Sequence, residues 1–183
     1  MNEIAPHAWQ IYQESDCLYN EQQIQQALDK MATEITQQLA DKNPLVLSVM
    51  NGGLITAGQL LPRCLFPLEM DYLHATRYSN STEGGELTWR VKPKSDLQGR
   101  TVLIVDDIHD VGATLQSIID ECYRVGAEAV YSAVLVNKIH DRKVKMRADF
   151  VGLDVEDRYI FGCGMDYKGY LRNLPAIYAM KEK

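Results

Sequence analysis

The sequence predicts an open α/β fold, a parallel twisted sheet of about five strands flanked by helices. Three observations predict it. Runs such as 44–50 (PLVLSVM) and 129–136 (AVYSAVLV) are apolar nearly throughout, as strands buried on both faces must be. Helical periods alternate with many of these runs, so right-handed crossovers can join the strands. Chemistry-bearing polar residues follow strand after strand, at the carboxyl ends where open α/β sheets bind ligands.

The elements follow in order. Ile24, Ala27, Leu28, Met31, Ile35 and Leu39 share one face at the 3.6-residue period, with Asn20 as N-cap, Gln23 completing a capping box, and an end before Pro44. The strand at 44–50 is broken by Asn51-Gly52-Gly53 before a second helical stretch, LITAGQLLPR. Residues 67–75 alternate Leu68, Met70 and Tyr72 in strand fashion, and 99–107 (GRTVLIVDD) is the next strand. Between them, 76–98 is too long for an ordinary connection; a Gly84-Gly85 tip followed by alternating Leu87, Trp89 and Val91 fits a hairpin-like lid or a solvent-exposed insertion. Leu115, Ile118, Ile119, Cys122 and Val125 predict a helix over about 113–125, with Arg124 in its last turn and Gly126 as its terminating glycine. Strands at 129–136 and 148–155 follow, and YIFGCG (159–164) adds a short one.

The 183 residues are enough for one domain with a real core, and 46% hydrophobic with 24% charged content is ordinary for a globular chain. Nineteen basic against twenty-five acidic residues give a net charge of −6, which argues against a nucleic-acid surface. No apolar run reaches membrane-spanning length and the first ten residues lack the pattern of a secretion signal, so a cytoplasmic location is expected. Cys17, Cys64, Cys122 and Cys163 are too scattered for a zinc or redox motif and read as free thiols. His7, His74, His109 and His140 show no metal-ligand spacing either.

Residues 102–115, VLIVDDIHDVGATL, pose the central problem. Three carboxylates, Asp106, Asp107 and Asp110, crowd a turn whose small residues open a helix. Helix-opening amides offer unpaired donors and about half a positive charge, so a phosphate is a natural guest at 110–114. Asp106 and Asp107 cannot retreat far from the strand end, and carboxylates held there need donors. Sugar hydroxyls, or a Mg²⁺ shared with phosphates, would supply them. A ribose 5-phosphate carries both kinds of group.

This stretch resembles the phosphoribosyl-pyrophosphate motif of type I phosphoribosyltransferases, and 20–180 as a whole is similar to their hypoxanthine-guanine members. The likeness is clearest at 102–115 and 157–174. It implies a single domain over 1–183, with a core at about 40–155, a small hood from about 1–39 and 156–183, and a flexible lid at about 76–98. It also implies that Asp106 and Asp107 hold ribose hydroxyls directly or through metal, that Asp110, Val111, Gly112, Ala113 and Thr114 cradle the 5-phosphate, and that Asp110 serves the purine N7 as general acid or base. Asn51, Gly52 and Arg172 would meet the diphosphate. Lys138 would donate to a 6-oxo group, Tyr159 would stack on the base and the Ile160 backbone would read its edge. Arg77, Tyr78 and Ser79 would open the lid, and Asp166 would hold a second Mg²⁺ through water.

The implied reaction transfers phosphoribosyl from 5-phosphoribosyl 1-diphosphate to N9 of hypoxanthine or guanine, with Mg²⁺ as cofactor and a homodimer or homotetramer as the assembly. A xanthine-preferring enzyme and a nucleic-acid-binding regulator of the same fold are the alternatives. Three departures stand out. Asn51 replaces a basic residue, Val111 removes a hydroxyl from the phosphate loop, and His109 replaces an apolar residue beside the carboxylates. A protonated His109 would make substrate binding pH-sensitive.

Overall fold

The computed structural model describes residues 4–77, 87–142 and 146–181. Its elements are α1 (Ile4–Glu14), β1 (Asp16–Tyr19), α2 (Glu21–Leu39), β2 (Leu45–Val49), α3 (Gly53–Leu60), β3 (Glu69–Arg77), β4 (Leu87–Val91), β5 (Thr101–His109), α4 (Ala113–Arg124), β6 (Ala129–Ile139), β7 (Phe150–Glu156), β8 (Ile160–Phe161) and β9 (Ile177–Ala179). The main sheet runs β4-β3-β2-β5-β6-β7. Strands β3, β2, β5, β6 and β7 are mutually parallel, which are the five predicted; β4 adds an antiparallel edge.

Alternation along the strands feeds two apolar layers. Val46, Leu103, Val105, Ala133 and Leu135 meet α2 and α3 on one face; Leu45, Leu47, Val102, Ile104 and Val134 meet Leu115, Ile118 and Cys122 of α4 on the other. The predicted stripe of α2 is buried at every position, and its capping box is complete: the Asn20 side chain accepts from the Gln23 N–H and the Gln23 side chain accepts from the Asn20 N–H, both at 3.0 Å. Gly126, at φ +99°, ends α4 in a Schellman turn, with Ala127 N–H donating to Cys122 O and Gly126 N–H to Tyr123 O.

One boundary needs correction. The helix over 21–39, assigned to the hood on the sequence, belongs to the core layer, because its apolar face lies on the sheet against β6 and β7. The hood is narrower: a three-stranded sheet, β1-β9-β8, closed by α1 through Ala8, Phe161 and Tyr167. The segment predicted as a lid begins as a hairpin, with Ala75 paired to Trp89 and Thr76 to Thr88 across β3 and β4. Its tip, with Tyr78, Ser79, Gly84 and Gly85, lies outside the described residues. Among the described residues, no helix is long and apolar enough to cross a membrane.

Candidate active site

A cleft of about 730 Å³ opens at the carboxyl ends of β2, β5 and β6. It gathers Asn51 and Gly52 after β2, Asp106 and Asp107 on β5, residues 110–114 of the turn into α4, Lys138 of β6, and Tyr159, Ile160, Asp166 and Arg172 from the hood side. Every predicted contact residue outside the lid therefore lines one space. Tyr78 and Ser79 lie outside the described residues, and Arg77 closes β3.

The floor is built by close backbone packing. A Cβ on Gly52 would fall 1.8 Å from Asp107 Oδ2, and one on Gly164, at φ +105°, would fall 2.3 Å from the Gly52 carbonyl. At Gly164 only glycine fits, while a side chain at Gly52 would have to displace the Asp107 carboxylate. Asp106 and Asp107 stand side by side, with the Asp107 N–H donating to Asp106 Oδ1 at 2.9 Å. Burial, then the charge of Asp107, holds the Asp106 carboxyl well above the usual carboxylate range. Burial also raises Asp107, less strongly because the hydrogen bond with Asp106 and the charge of Arg172 oppose it.

Arg172 ties the hood to that floor. Its guanidinium lies 2.6 Å from Asp166 Oδ1 and 3.9 Å from Asp107 Oδ2, and it donates to the Gly164 carbonyl at 2.6 Å. The other Asp166 oxygen accepts from the Gly169 N–H at 2.6 Å. Beside this group the turn reaches Gly112, whose left-handed backbone (φ +85°) opens α4 with no side-chain cap. The first amides of the helix thus face the cleft with their donors available to an anion.

The opposite wall carries Lys138 and Tyr159. The Lys138 side chain is only 11% exposed, and its ammonium sits 3.3 Å from Asp110 Oδ2 and 3.7 Å from Asp157 Oδ1. It is no ordinary solvated lysine. Tyr159 is half exposed, meets Tyr167 edge to face at 5.8 Å and donates from its hydroxyl to the Asp166 carbonyl, so its ring borders the cleft without being buried in the core. Asp110, His140 and Asp157 bring one ligand atom each within 4.8 Å of one another, but the Lys138 ammonium already supplies positive charge to both of those carboxylates.

His109 does not take the place expected of it. It is buried on β5, aligned with Asn137 of β6, with its Nδ1 3.3 Å from Asn137 Oδ1, and it is not among the residues lining the cleft. The histidine on the carboxylate of the turn into α4 is His140, whose Nε2 lies 2.7 Å from Asp110 Oδ1. Sequence reasoning missed it. The parallel register pairs 109 with 137, which sets 110 opposite 138, and residue 140 follows on the same side two positions later. Burial raises the Asp110 carboxyl, but the hydrogen bond from His140 and the charge of Lys138 outweigh it, and the group sits below its usual range.

Comparison with known proteins agrees with this geometry. The family model described as "Phosphoribosyl transferase domain" matches residues 14–168. The hypoxanthine-guanine-xanthine phosphoribosyltransferase of Tritrichomonas foetus is 34% identical over 166 residues, covering 90% of this chain and 91% of its own. The hypoxanthine-guanine phosphoribosyltransferase of Bacillus subtilis (strain 168) is 33% identical over 165 residues, covering 90% and 92%. A crystal structure of a hypoxanthine-guanine phosphoribosyltransferase from Bacillus anthracis superposes with a TM-score of 0.86 at 29% identity, covering 91% of this chain and 98% of that one. With a phosphate-ready helix start beside paired strand-end carboxylates, and with relatives matching along nearly its whole length, this chain belongs to the phosphoribosyltransferase family.

Proposed function

We propose that the chain serves purine salvage by transferring the phosphoribosyl group of 5-phosphoribosyl 1-diphosphate to N9 of hypoxanthine or guanine, releasing diphosphate. One observation carries the reading: the carboxylate pair of β5, the uncapped start of α4, and the Lys138 and Tyr159 wall share a single cleft.

In this reading the amides of 111–114 and the Thr114 hydroxyl hold the 5-phosphate, and Asp106 and Asp107 accept from the ribose hydroxyls. Gly52, Asn51 and Arg172 meet the diphosphate, with Arg172 supplying the charge that Asn51 lacks. Tyr159 stacks on the base, a contact worth roughly 1–3 kcal/mol that tolerates different bases. Selection falls to Lys138, because its nearly buried ammonium can donate to a 6-oxo group but meets only another donor in a 6-amino group. Asp110 handles the N7 proton as N9 bonds to C1 of the ribose and the diphosphate departs. Closure of 76–98, with Arg77, Tyr78 and Ser79 at its start, excludes water.

The donor set fits Mg²⁺. Asp106 and Asp107 are adjacent hard-oxygen ligands whose burial and mutual repulsion disfavour their charge, a cost that a divalent cation would offset and that Arg172, 3.9 Å from Asp107, offsets only in part. Asp166 would serve a second ion through water. When bound, the metal neutralises charge on the leaving diphosphate.

Homo-oligomer formation, as a homodimer or homotetramer, and a cytoplasmic location belong to the proposal. Xanthine is the closest competing base, as the name of the Tritrichomonas relative suggests.

The test is nucleotide formation from hypoxanthine, guanine, xanthine, adenine and uracil with the sugar diphosphate and Mg²⁺. Hypoxanthine or guanine should react fastest, and Asp110→Asn should cut turnover by roughly two orders of magnitude. Nucleotide from none of the five bases would overturn the reading, and a chain that instead bound nucleic acid would favour the regulator.

A further inference from the structure

His140 occupies a place that the reaction outlined above leaves unexplained. Its side chain is 6% exposed, it lies just beyond the end of β6, and its Nε2 is 2.7 Å from Asp110 Oδ1. The other ring nitrogen, Nδ1, accepts the backbone N–H of Arg142 at 3.1 Å. That second contact fixes the tautomer. With Nδ1 accepting, the ring proton of the neutral imidazole is on Nε2 and is donated to Asp110.

The partners of Asp110 divide unequally. Oδ1 is held by His140, and Oδ2 faces Lys138 at 3.3 Å. Lys138 is shared with Asp157, which has its own second partner in Arg142 at 2.6 Å. Once Lys138 turns to a base oxygen, each carboxylate keeps one donor: Asp157 keeps Arg142 and Asp110 keeps His140.

We propose that His140 is a positioning residue for Asp110, a fixed donor that holds one carboxylate oxygen so that the other faces the purine N7 while Lys138 is engaged by the base. The proposal rests on the salvage reading above and adds a residue to it. His140 is an anchor here and not a proton relay, since a second ring proton at Nδ1 would break the Arg142 contact. The charged and titratable groups facing Asp110 are Lys138 and His140, with Asp157 and its partner Arg142 behind Lys138. Both direct neighbours favour the ionised carboxylate, in keeping with its lowered titration.

The test compares His140→Leu with His140→Gln, whose side-chain amide can place a donor near the position of Nε2. In steady-state assays with the preferred base, His140→Leu should lower kcat roughly tenfold, the loss of one oriented hydrogen bond to a charged group, and leave KM for the base within about twofold. The acid limb of its kcat profile should move to higher pH, because Asp110 loses a donor that favours its ionised form. His140→Gln should recover most of both effects. A folded His140→Leu protein with wild-type kcat and an unmoved acid limb would overturn the proposal, as would a Gln variant no better than Leu. Nitrogen-15 spectra of the histidine rings test the contact without turnover: His140 should show the Nε2-protonated neutral form, with its Nε2–H signal shifted in Asp110→Asn. A doubly protonated His140 at neutral pH, or a signal indifferent to Asp110→Asn, would also overturn it. Wild-type protein that forms no nucleotide but shows these spectra would sink the salvage reading and leave the contact standing.

Discussion

The carboxylate of Asp107 rests directly over the α-carbon of Gly52: a Cβ at that glycine would lie 1.8 Å from Oδ2 and 2.4 Å from Cγ. Gly52→Ala must therefore turn Asp107 away from its place beside Arg172. The short side chain has the open cleft to turn into, so stability should change little while kcat/KM for the sugar diphosphate drops at least about tenfold. Steady-state kinetics and a thermal melt on the same preparation check this; unchanged kinetics would remove Asp107 from sugar-diphosphate binding.

Asp106 gives a prediction of opposite sign for stability and activity. An unfolded Asp carboxyl loses its proton near 3.8, and the folded one holds it to higher pH because burial and Asp107 disfavour its charge. Folding stability from this group is thus lost as pH rises through that interval, and the loss persists at neutral pH. In metal-free buffer at about pH 7, Asp106→Asn should raise Tm by about 2–4 °C, equivalent to about 1 kcal/mol, while turnover falls. Below about pH 3.8 the gain should vanish. A variant that melts lower than wild type at neutral pH would show that the carboxylate stabilises the apo fold.

Lys138 should set the choice of base. Its ammonium is nearly buried and shared by Asp110 and Asp157, so Lys138→Gln removes a charged donor and leaves two carboxylates with less compensation. Hypoxanthine kcat/KM should fall by about tenfold or more, and the margin over adenine should narrow because the amide of Gln can also accept. Equal losses for both bases would place the selection elsewhere.

Much of this arrangement was legible in the sequence because its signals are local. The run 102–107 announces a buried strand, and the small residues at 112–113 announce the helix start, so strand, carboxylates and glycine turn follow from fourteen consecutive residues. Asn20 and Gln23 announce their helix in the same way. The hood was harder, since β1, β8 and β9 have four, two and three residues, too few to show a period, and they pair across the length of the chain. The contact of His140 with Asp110 spans 30 positions and depends on the register of β5 against β6, which no local pattern states. Proximity along the chain pointed to His109, but strand alternation buries that side chain and aligns it with Asn137.

The order in which the chain is made now acquires a meaning. Strand β9 holds both β8, next to Tyr159, and β1, yet a ribosome makes it after every strand of the main sheet. A nascent chain can therefore fold the main sheet with its turn into α4 while the hood side of the cleft is still open. Translation that stops short of Ile177 should leave the turn into α4 and Lys138 in place while β1 and β8 lack their shared partner and the Tyr159 side of the cleft stays open.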